Sequence, residues 1–84
     1  IQDSIDQLTA MIDVYGQTPK DDPFKKELPP LFDRVFACAH SAATTLETIL
    51  SKERSQSSAR RRDILISQIR ALKRCKDTFD DIRE

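Results

Sequence analysis

The feature that most constrains this chain is the spacing of its apolar residues, which recur at alternating intervals of three and four in three separate segments. On an α-helix that spacing places the residues on a single stripe. No segment has the sustained apolar–polar alternation that is typical of a half-buried β-strand. The pattern therefore predicts an all-α fold built from three amphipathic helices.

The predicted helices cover about residues 2–15, 30–54 and 58–83, with one proline-rich and one serine-rich connection between them. Short connections make successive helices antiparallel neighbours. We therefore predict a single domain over residues 1–84, an up-down-up three-helix bundle with a long antiparallel hairpin of the second and third helices. An alternative is that this hairpin stands alone and the first helix serves oligomerisation. Because the chain starts with Ile, we expect a fragment of a larger protein.

Three sequence signals predict where the helices begin and end. Gly16 is expected to cap the C-terminus of the first helix. Pro29 and Pro30 are expected to mark a fresh helical start, because a proline in the first turn sacrifices no hydrogen bond. Before them, Phe24 and Leu28 are expected to face inward on a separate helical turn.

The charge balance argues against several classes of function. Fourteen basic and fourteen acidic residues cancel, whereas domains that bind phosphate backbones usually carry a net positive charge. Nucleic acid is therefore a disfavoured partner. No apolar run approaches the length of a membrane span, so we expect no membrane insertion. Two cysteines are too few for a disulfide-framed secreted scaffold, which favours an intracellular location, cytoplasmic or nuclear.

The sequence offers little for catalysis or metal binding. A single glycine excludes a glycine-rich phosphate loop, and no nucleophile with its base can be assembled. His40 is the only histidine, too few ligands for zinc beside two cysteines. We predict a protein that is not an enzyme and has no cofactor. For Cys38 and Cys75 two interpretations stay open, two small buried apolar residues or a disulfide across the hairpin.

Basic residues cluster on the third helix. Arg60 to Arg62 lie at its N-terminal end, where the helix macrodipole disfavours cations. Asp3, Asp6 and Glu53 could compensate them from neighbouring helices. The alternative is a patch that binds an anionic membrane or nucleic acid, formed by Arg60, Arg61, Arg62, Arg70, Lys73 and Arg74.

The serine-rich connection suggests phosphorylation. The candidate positions are Ser55, Ser57 and Ser58. Arg54 precedes Ser57 by three residues, a spacing that many basophilic kinases prefer. A phosphate here would lie at a helix N-terminus near three arginines, which is electrostatically favourable.

The unequal helix lengths predict a site for a partner. At ~1.5 Å per residue the second and third helices reach nearly 40 Å and the first only about 22 Å, so the tip of the hairpin should stay uncovered. A groove there would be lined by Leu46, Ile49, Leu50, Ile64, Leu65 and Ile66. Two rivals are that the first helix continues upstream of Ile1 and fills the groove, or that it slides toward the tip.

These observations predict a non-catalytic protein–protein interaction module of the adaptor or scaffold kind, which binds a partner helix or peptide between its helices. One alternative is a structural or coiled-coil segment that forms homo-oligomers, such as a homodimer. A further alternative is electrostatic binding of an anionic membrane or nucleic acid through the basic cluster.

Overall fold

The computed structural model describes residues 1–53 and 55–83. Within them the chain forms three α-helices: α1 is Gln2–Gln17, α2 is Phe24–Lys52 and α3 is Gln56–Ile82. No strand occurs in the described ranges. The all-helical class predicted from the apolar spacing is confirmed.

The first helix ends later than its glycine predicts. Gly16 lies inside α1, and Thr18 is the C-cap, with an extended backbone at φ −81° and ψ 129°. The amide of Thr18 donates to the carbonyl of Tyr15 (3.3 Å), and its hydroxyl donates to the carbonyl of Val14 (2.6 Å). Pro19 follows, and a residue before proline is pushed out of the helical region. The prediction that Gly16 ends the helix is therefore wrong, because Thr18 and Pro19 do so instead.

The second helix begins before its prolines. Pro29 and Pro30 lie inside α2, at its sixth and seventh positions. Neither has an amide hydrogen, so the carbonyls of Lys25 and Lys26 lose their usual helical partners. The helix nevertheless continues, because Leu28 before the prolines and Phe32 after them are both buried in the core. The predicted fresh start at the prolines is wrong.

Asp22, two residues before α2, accepts hydrogen bonds from the first turn of that helix. Its Oδ1 accepts a hydrogen bond from the amide of Phe24 (2.9 Å), and its carbonyl accepts one from the amide of Lys25 (3.0 Å). Leu28 faces inward as predicted, whereas Phe24 is 40% exposed. Pro23 is the N-cap of α2, and Asp22 beside it satisfies two amides of the first turn.

The core is centred on Phe79 of α3. Its ring stacks on that of Phe32 in α2 (centroids 4.0 Å apart) and meets Tyr15 of α1 edge-on (5.0 Å). All three helices therefore meet at one aromatic cluster. The other buried apolar residues are Ile5, Leu8, Leu28, Ala39, Ala43, Leu65 and Leu72.

Contacts between α2 and α3 run in opposite order along the two helices. Near the start of α2, Phe32 stacks on Phe79. Near its end, Glu47 pairs with Arg62, whose Nε lies 3.0 Å from the carboxylate Oε1. As residue numbers rise along α2, those of its partners on α3 therefore fall.

Contacts between α1 and α3 run in the same order. Thr9 Oγ1 lies 3.8 Å from Cys75 Sγ, and the Tyr15 hydroxyl donates to the carbonyl of Arg83 (3.4 Å). With 16 residues against 29 in α2, α1 reaches along only about half of its neighbours.

The C-terminal end of α3 holds an ion-pair network that gives a pH prediction. Asp80 pairs with Lys76 (Nζ to Oδ2, 3.0 Å) and with Arg83 (Nη2 to Oδ1, 2.9 Å). The hydrogen bond from Lys76, aided by the charges of Lys76 and Arg83, holds the pKa of Asp80 below its ordinary value of 3.8. A lowered carboxyl pKa stabilises the fold above the unfolded value and loses that effect as the pH falls through the folded value.

We therefore expect Lys76→Met to raise the pKa of Asp80 toward its ordinary value, because the largest cause of the shift is removed. An NMR pH titration of the Asp80 side-chain carboxyl carbon measures this. Lys52→Met, which removes an equal charge from the C-terminal end of α2, is the control. An unchanged Asp80 titration in Lys76→Met would contradict the prediction.

Candidate functional site

The six residues of the predicted groove differ in exposure. Leu46, Ile49 and Ile64 are 45%, 51% and 62% exposed. Leu65 is buried in the core, Leu50 packs against it, and Ile66 is half-buried. The first three thus offer apolar surface at the end of the hairpin, while Leu50 and Leu65 lie between the two helices.

Helical geometry divides these residues between two sides of α3. Ile64 and Ile66 are two residues apart and so point about 200° away from each other. Ile64 precedes Cys75 by eleven residues, about three turns, so it points to the side of α3 on which α1 packs. Ile66 points away from that side and does not share a groove with Ile64.

On α2, Leu46 follows the buried Ala39 by seven residues, about two turns, and points in the same inward direction. Leu46 is nevertheless exposed, because α1 does not reach this level. We call the uncovered region the tip channel. It is defined by the exposed residues Leu46, Ile49 and Ile64 and by Leu50 and Leu65 between the two helices. Its two sides line separate depressions, Leu46 the one along α2 and Ile64 the one at the start of α3.

The wide apolar face of α2 includes a depression that the sequence interpretation missed. The spacing predicts Ala42 on the inner stripe with Leu46 and Ile49, yet Ala42 faces solvent. It contributes to a shallow depression along α2, which extends from the exposed Ala37 and Cys38 to Leu46 and is lined by Ala37, Cys38, Ser41, Ala42, Thr45 and Leu46. The breadth of the apolar face was the available signal, since one neighbouring helix cannot cover a face that wide.

The residues of the predicted basic patch extend over about four turns of α3. Arg60 to Arg62 are successive residues and fan over about 200° around α3. Arg62 pairs with Glu47, whereas Arg60 and Arg61 are exposed and line a depression with Ile64. Arg74, more than three turns further on, lines a different depression between α1 and α3. Binding of an anionic membrane or nucleic acid by all six basic residues stays a prediction.

The acidic residues expected to compensate these arginines do not form ion pairs with them among the described residues. Glu53 accepts a hydrogen bond from the hydroxyl of Ser58. Asp3 and Asp6 are exposed, and in the ranges that the structure describes neither forms an ion pair with an arginine. The one compensating carboxylate among the described residues is that of Glu47, which pairs with Arg62.

The three candidate phosphorylation sites have different surroundings. Ser55 is the N-cap of α3, and its Oγ accepts a hydrogen bond from the amide of Ser58 (3.1 Å). Ser58 is 2% exposed, and its hydroxyl lies 2.8 Å from that of Ser55 while it donates to Glu53. Ser57 is exposed. A kinase can reach the Ser57 hydroxyl on the folded surface, but Ser58 only after the first turn opens. Arg54 lies outside the described residues.

The two cysteines lie on different surfaces. Cys38 is exposed, about 100° around α2 from the buried Ala39. Cys75 is half-buried against Thr9. Both are free thiols, so the structure contains no bond between them. The interpretation of both as buried apolar residues is wrong for Cys38.

His40 is half-buried and stacks on the ring of Phe36 (centroids 5.3 Å apart). In residues 1–53 and 55–83, no three His, Cys, Asp or Glu side chains come together in a way that could hold a metal ion. Of the helices that the structure describes, none combines the length and apolar character that crossing a membrane requires.

Comparisons of the chain with protein-family models, with curated proteins and with solved structures found no match. The tip channel is therefore interpreted from its own geometry and chemistry.

Proposed function

We propose that this chain is a non-catalytic protein–protein interaction module that binds an amphipathic helix of another protein in the tip channel. The observation that carries the proposal is the exposure of Leu46 and Ile64 on directions of α2 and α3 that are covered lower down, with Ile49 exposed beside Leu46. Large apolar side chains grouped at one place on a surface are typical of a binding site.

The proposal depends on an up-down-up arrangement of the three helices, which we infer from the order of their contacts. Partners on α3 descend in number as α2 ascends, as expected for an antiparallel hairpin. Partners on α3 ascend with α1, as expected for a parallel pair. In this arrangement the tip channel continues the interhelical groove that α1 occupies.

The shape of that groove favours a helix as the occupant. Where α1 lies between α2 and α3, it inserts Ile5, Leu8 and Tyr15, which follow helical spacing. A partner that continues along the same groove needs the same cross-section and the same spacing of three and four between apolar residues.

The apolar contacts alone predict weak binding. Leu46, Ile49 and Ile64 are each about half exposed, so covering each contributes about 1 kcal/mol, roughly half the value for full burial. Association costs at least ~4 kcal/mol in translational and rotational freedom. Polar contacts at the edge of the channel are therefore needed to give a useful affinity.

A designed helical peptide with a leucine stripe tests the proposal, with the amide resonances of the chain followed by NMR. We expect shifts at Leu46, Ile49 and Ile64, and loss of binding in Leu46→Glu, because a charge in the wall must be desolvated when the peptide docks. Leu31→Glu is the matched control. Leu31 lies on the same helix, is 44% exposed against 45% for Leu46, and lies far from the tip.

Equal binding by the two glutamate variants would contradict the proposal. The rival occupants are a second copy of the chain and a helical segment upstream of Ile1. Light scattering over a range of concentrations detects the second copy, and loss of peptide binding in a longer chain that includes upstream residues detects the segment. If the chain forms a dimer that dissociates in Leu46→Glu but not in Leu31→Glu, the occupant of the tip channel is a second copy of the chain, and homo-oligomerisation is the function.

A further inference from the structure

We infer that the helix bound in the tip channel carries acidic residues on the flank that faces Arg60 and Arg61. The inference rests on the proposed function and adds the chemistry of the partner. It comes from the position of these two arginines beside the most exposed apolar residue of the channel.

The arginines and the apolar wall share one surface. Arg60, Arg61 and Ile64 line a single depression together with Gln56 and Ser57. All five are exposed, with Ile64 one turn beyond the arginines on α3. A helix that covers Ile64 therefore passes within reach of both guanidinium groups.

Both charges are available to a partner. Among the described residues, the ion pairs of this part of the fold include Arg62 with Glu47 but none that involves Arg60 or Arg61. A guanidinium has donors that match the two oxygens of a carboxylate. Glutamate or aspartate on the partner is the residue type that satisfies them.

The arginines are also poorly placed for the stability of their own helix. The first turn of α3 contains no acidic residue, and the positive end of the helix macrodipole disfavours nearby cations. Residues that violate a local rule of this kind are often retained for a function. The helix terminus and the arginines together produce a positive potential, which an acidic flank complements.

This potential argues against a second copy as the occupant. A two-fold dimer through the tip uses the same surface on both chains. It would place Arg60 and Arg61 of both copies, four guanidinium groups, in one interface, and an excess of like charge within an interface is unfavourable. A foreign helix of opposite charge avoids this repulsion.

Three designed helical peptides test the inference. They share one leucine stripe and differ only in flanking residues, which are Glu, Gln or Lys. We expect the Glu peptide to bind about tenfold more tightly than the Gln peptide at low salt, and the Lys peptide to bind least. The difference should shrink at high salt, because exposed charges are screened.

Charge reversal provides the second arm. In the double variant Arg60→Glu and Arg61→Glu, the order of the peptides should invert, so that the Lys peptide binds most tightly. The double variant Arg70→Glu and Arg74→Glu is the matched control. It changes the net charge equally at exposed positions of α3 and should keep the original order. Circular dichroism verifies that both variants remain helical, and Arg60→Gln with Arg61→Gln replaces the reversal if it does not fold.

The outcomes separate the two proposals. Equal binding of the three peptides at the tip overturns the acidic flank and leaves the helix-binding function standing. Preference for the Lys peptide by the unmodified chain also overturns it. Failure of all three peptides to bind overturns the proposed function and the inference together.

Discussion

The Phe79→Ala variant is expected to lose about 3–5 kcal/mol of unfolding free energy, because it removes a large, fully buried side chain and leaves a cavity. Small domains often have little more than about 5 kcal/mol of stability in total, so this loss removes most of it. We therefore expect a large fraction of the variant to be unfolded at 25 °C.

The size of the effect follows from the position of the ring. Phe79 stacks on Phe32 of α2 and meets Tyr15 of α1, so one side chain joins all three helices. Its removal deletes two aromatic contacts at once. The cavity would lie where the helices converge, and rigid helices cannot easily collapse into it.

Urea denaturation followed by circular dichroism measures the loss. Phe24→Ala is the control, since it is the same substitution at a ring that is 40% exposed. We expect this variant to lose the contribution of its partly buried surface, and the further cost of a cavity to be well under ~1 kcal/mol. Similar losses in the two variants would show that the aromatic cluster does not hold the helices together as described.

The same cluster illustrates what the sequence can predict. Leu65, Leu72 and Phe79 repeat every seven residues, two turns of a helix, and all three are buried. Because a regular stripe needs only local geometry to form, the amino-acid sequence alone predicts its residues and the all-helical class. The exact ends of the helices depend on single capping residues such as Thr18. Several neighbouring residues are equally suitable as caps, so the amino-acid sequence does not identify which one ends the helix.

The candidate site was harder to predict, because exposure depends on which neighbour reaches a given level. Ala39 and Leu46 are seven residues apart and point in one direction, yet only Ala39 is buried. Their difference is set by where α1 lies along α2, a tertiary fact that the periodicity of α2 does not contain. The helix lengths indicated an open tip. Whether Ile66 lines the channel depends on which side of α3 faces α1, and the helix lengths do not contain that information.

The start of α3 shows the same limit at the level of one side chain. The serine run predicted an N-cap, but not which serine would be the cap and which would be enclosed. The structure assigns the cap to Ser55 and the enclosed hydroxyl to Ser58. Ser57, between them, points outward. A negative charge introduced at Ser57 or at Ser58 should therefore have opposite effects.

Ser58→Asp is expected to destabilise the fold by about 2–4 kcal/mol, because it encloses a carboxylate beside that of Glu53. This cost exceeds the roughly 0.3–1 kcal/mol by which the helix macrodipole favours a negative charge in the first turn. The Ser58 hydroxyl now donates to Glu53 and lies beside the Ser55 hydroxyl. A carboxylate cannot donate to Glu53, and it adds a like charge instead. Unwinding the first turn of α3 would return the new charge to water, and that alternative sets the upper limit of the loss.

Ser57→Asp is the matched control, with the same substitution one residue earlier. Its carboxylate would be exposed in the first turn of α3, near Arg60 and Arg61, where the macrodipole and both arginines favour a negative charge by about 0.3–1 kcal/mol. Chemical denaturation measures both variants, and amide hydrogen exchange at residues 56–59 reports whether the first turn opens. We expect faster exchange there in Ser58→Asp alone. Equal stability of the two variants would mean that the Ser58 hydroxyl is not enclosed in solution, and that a phosphate could be accommodated at either serine with the helix intact.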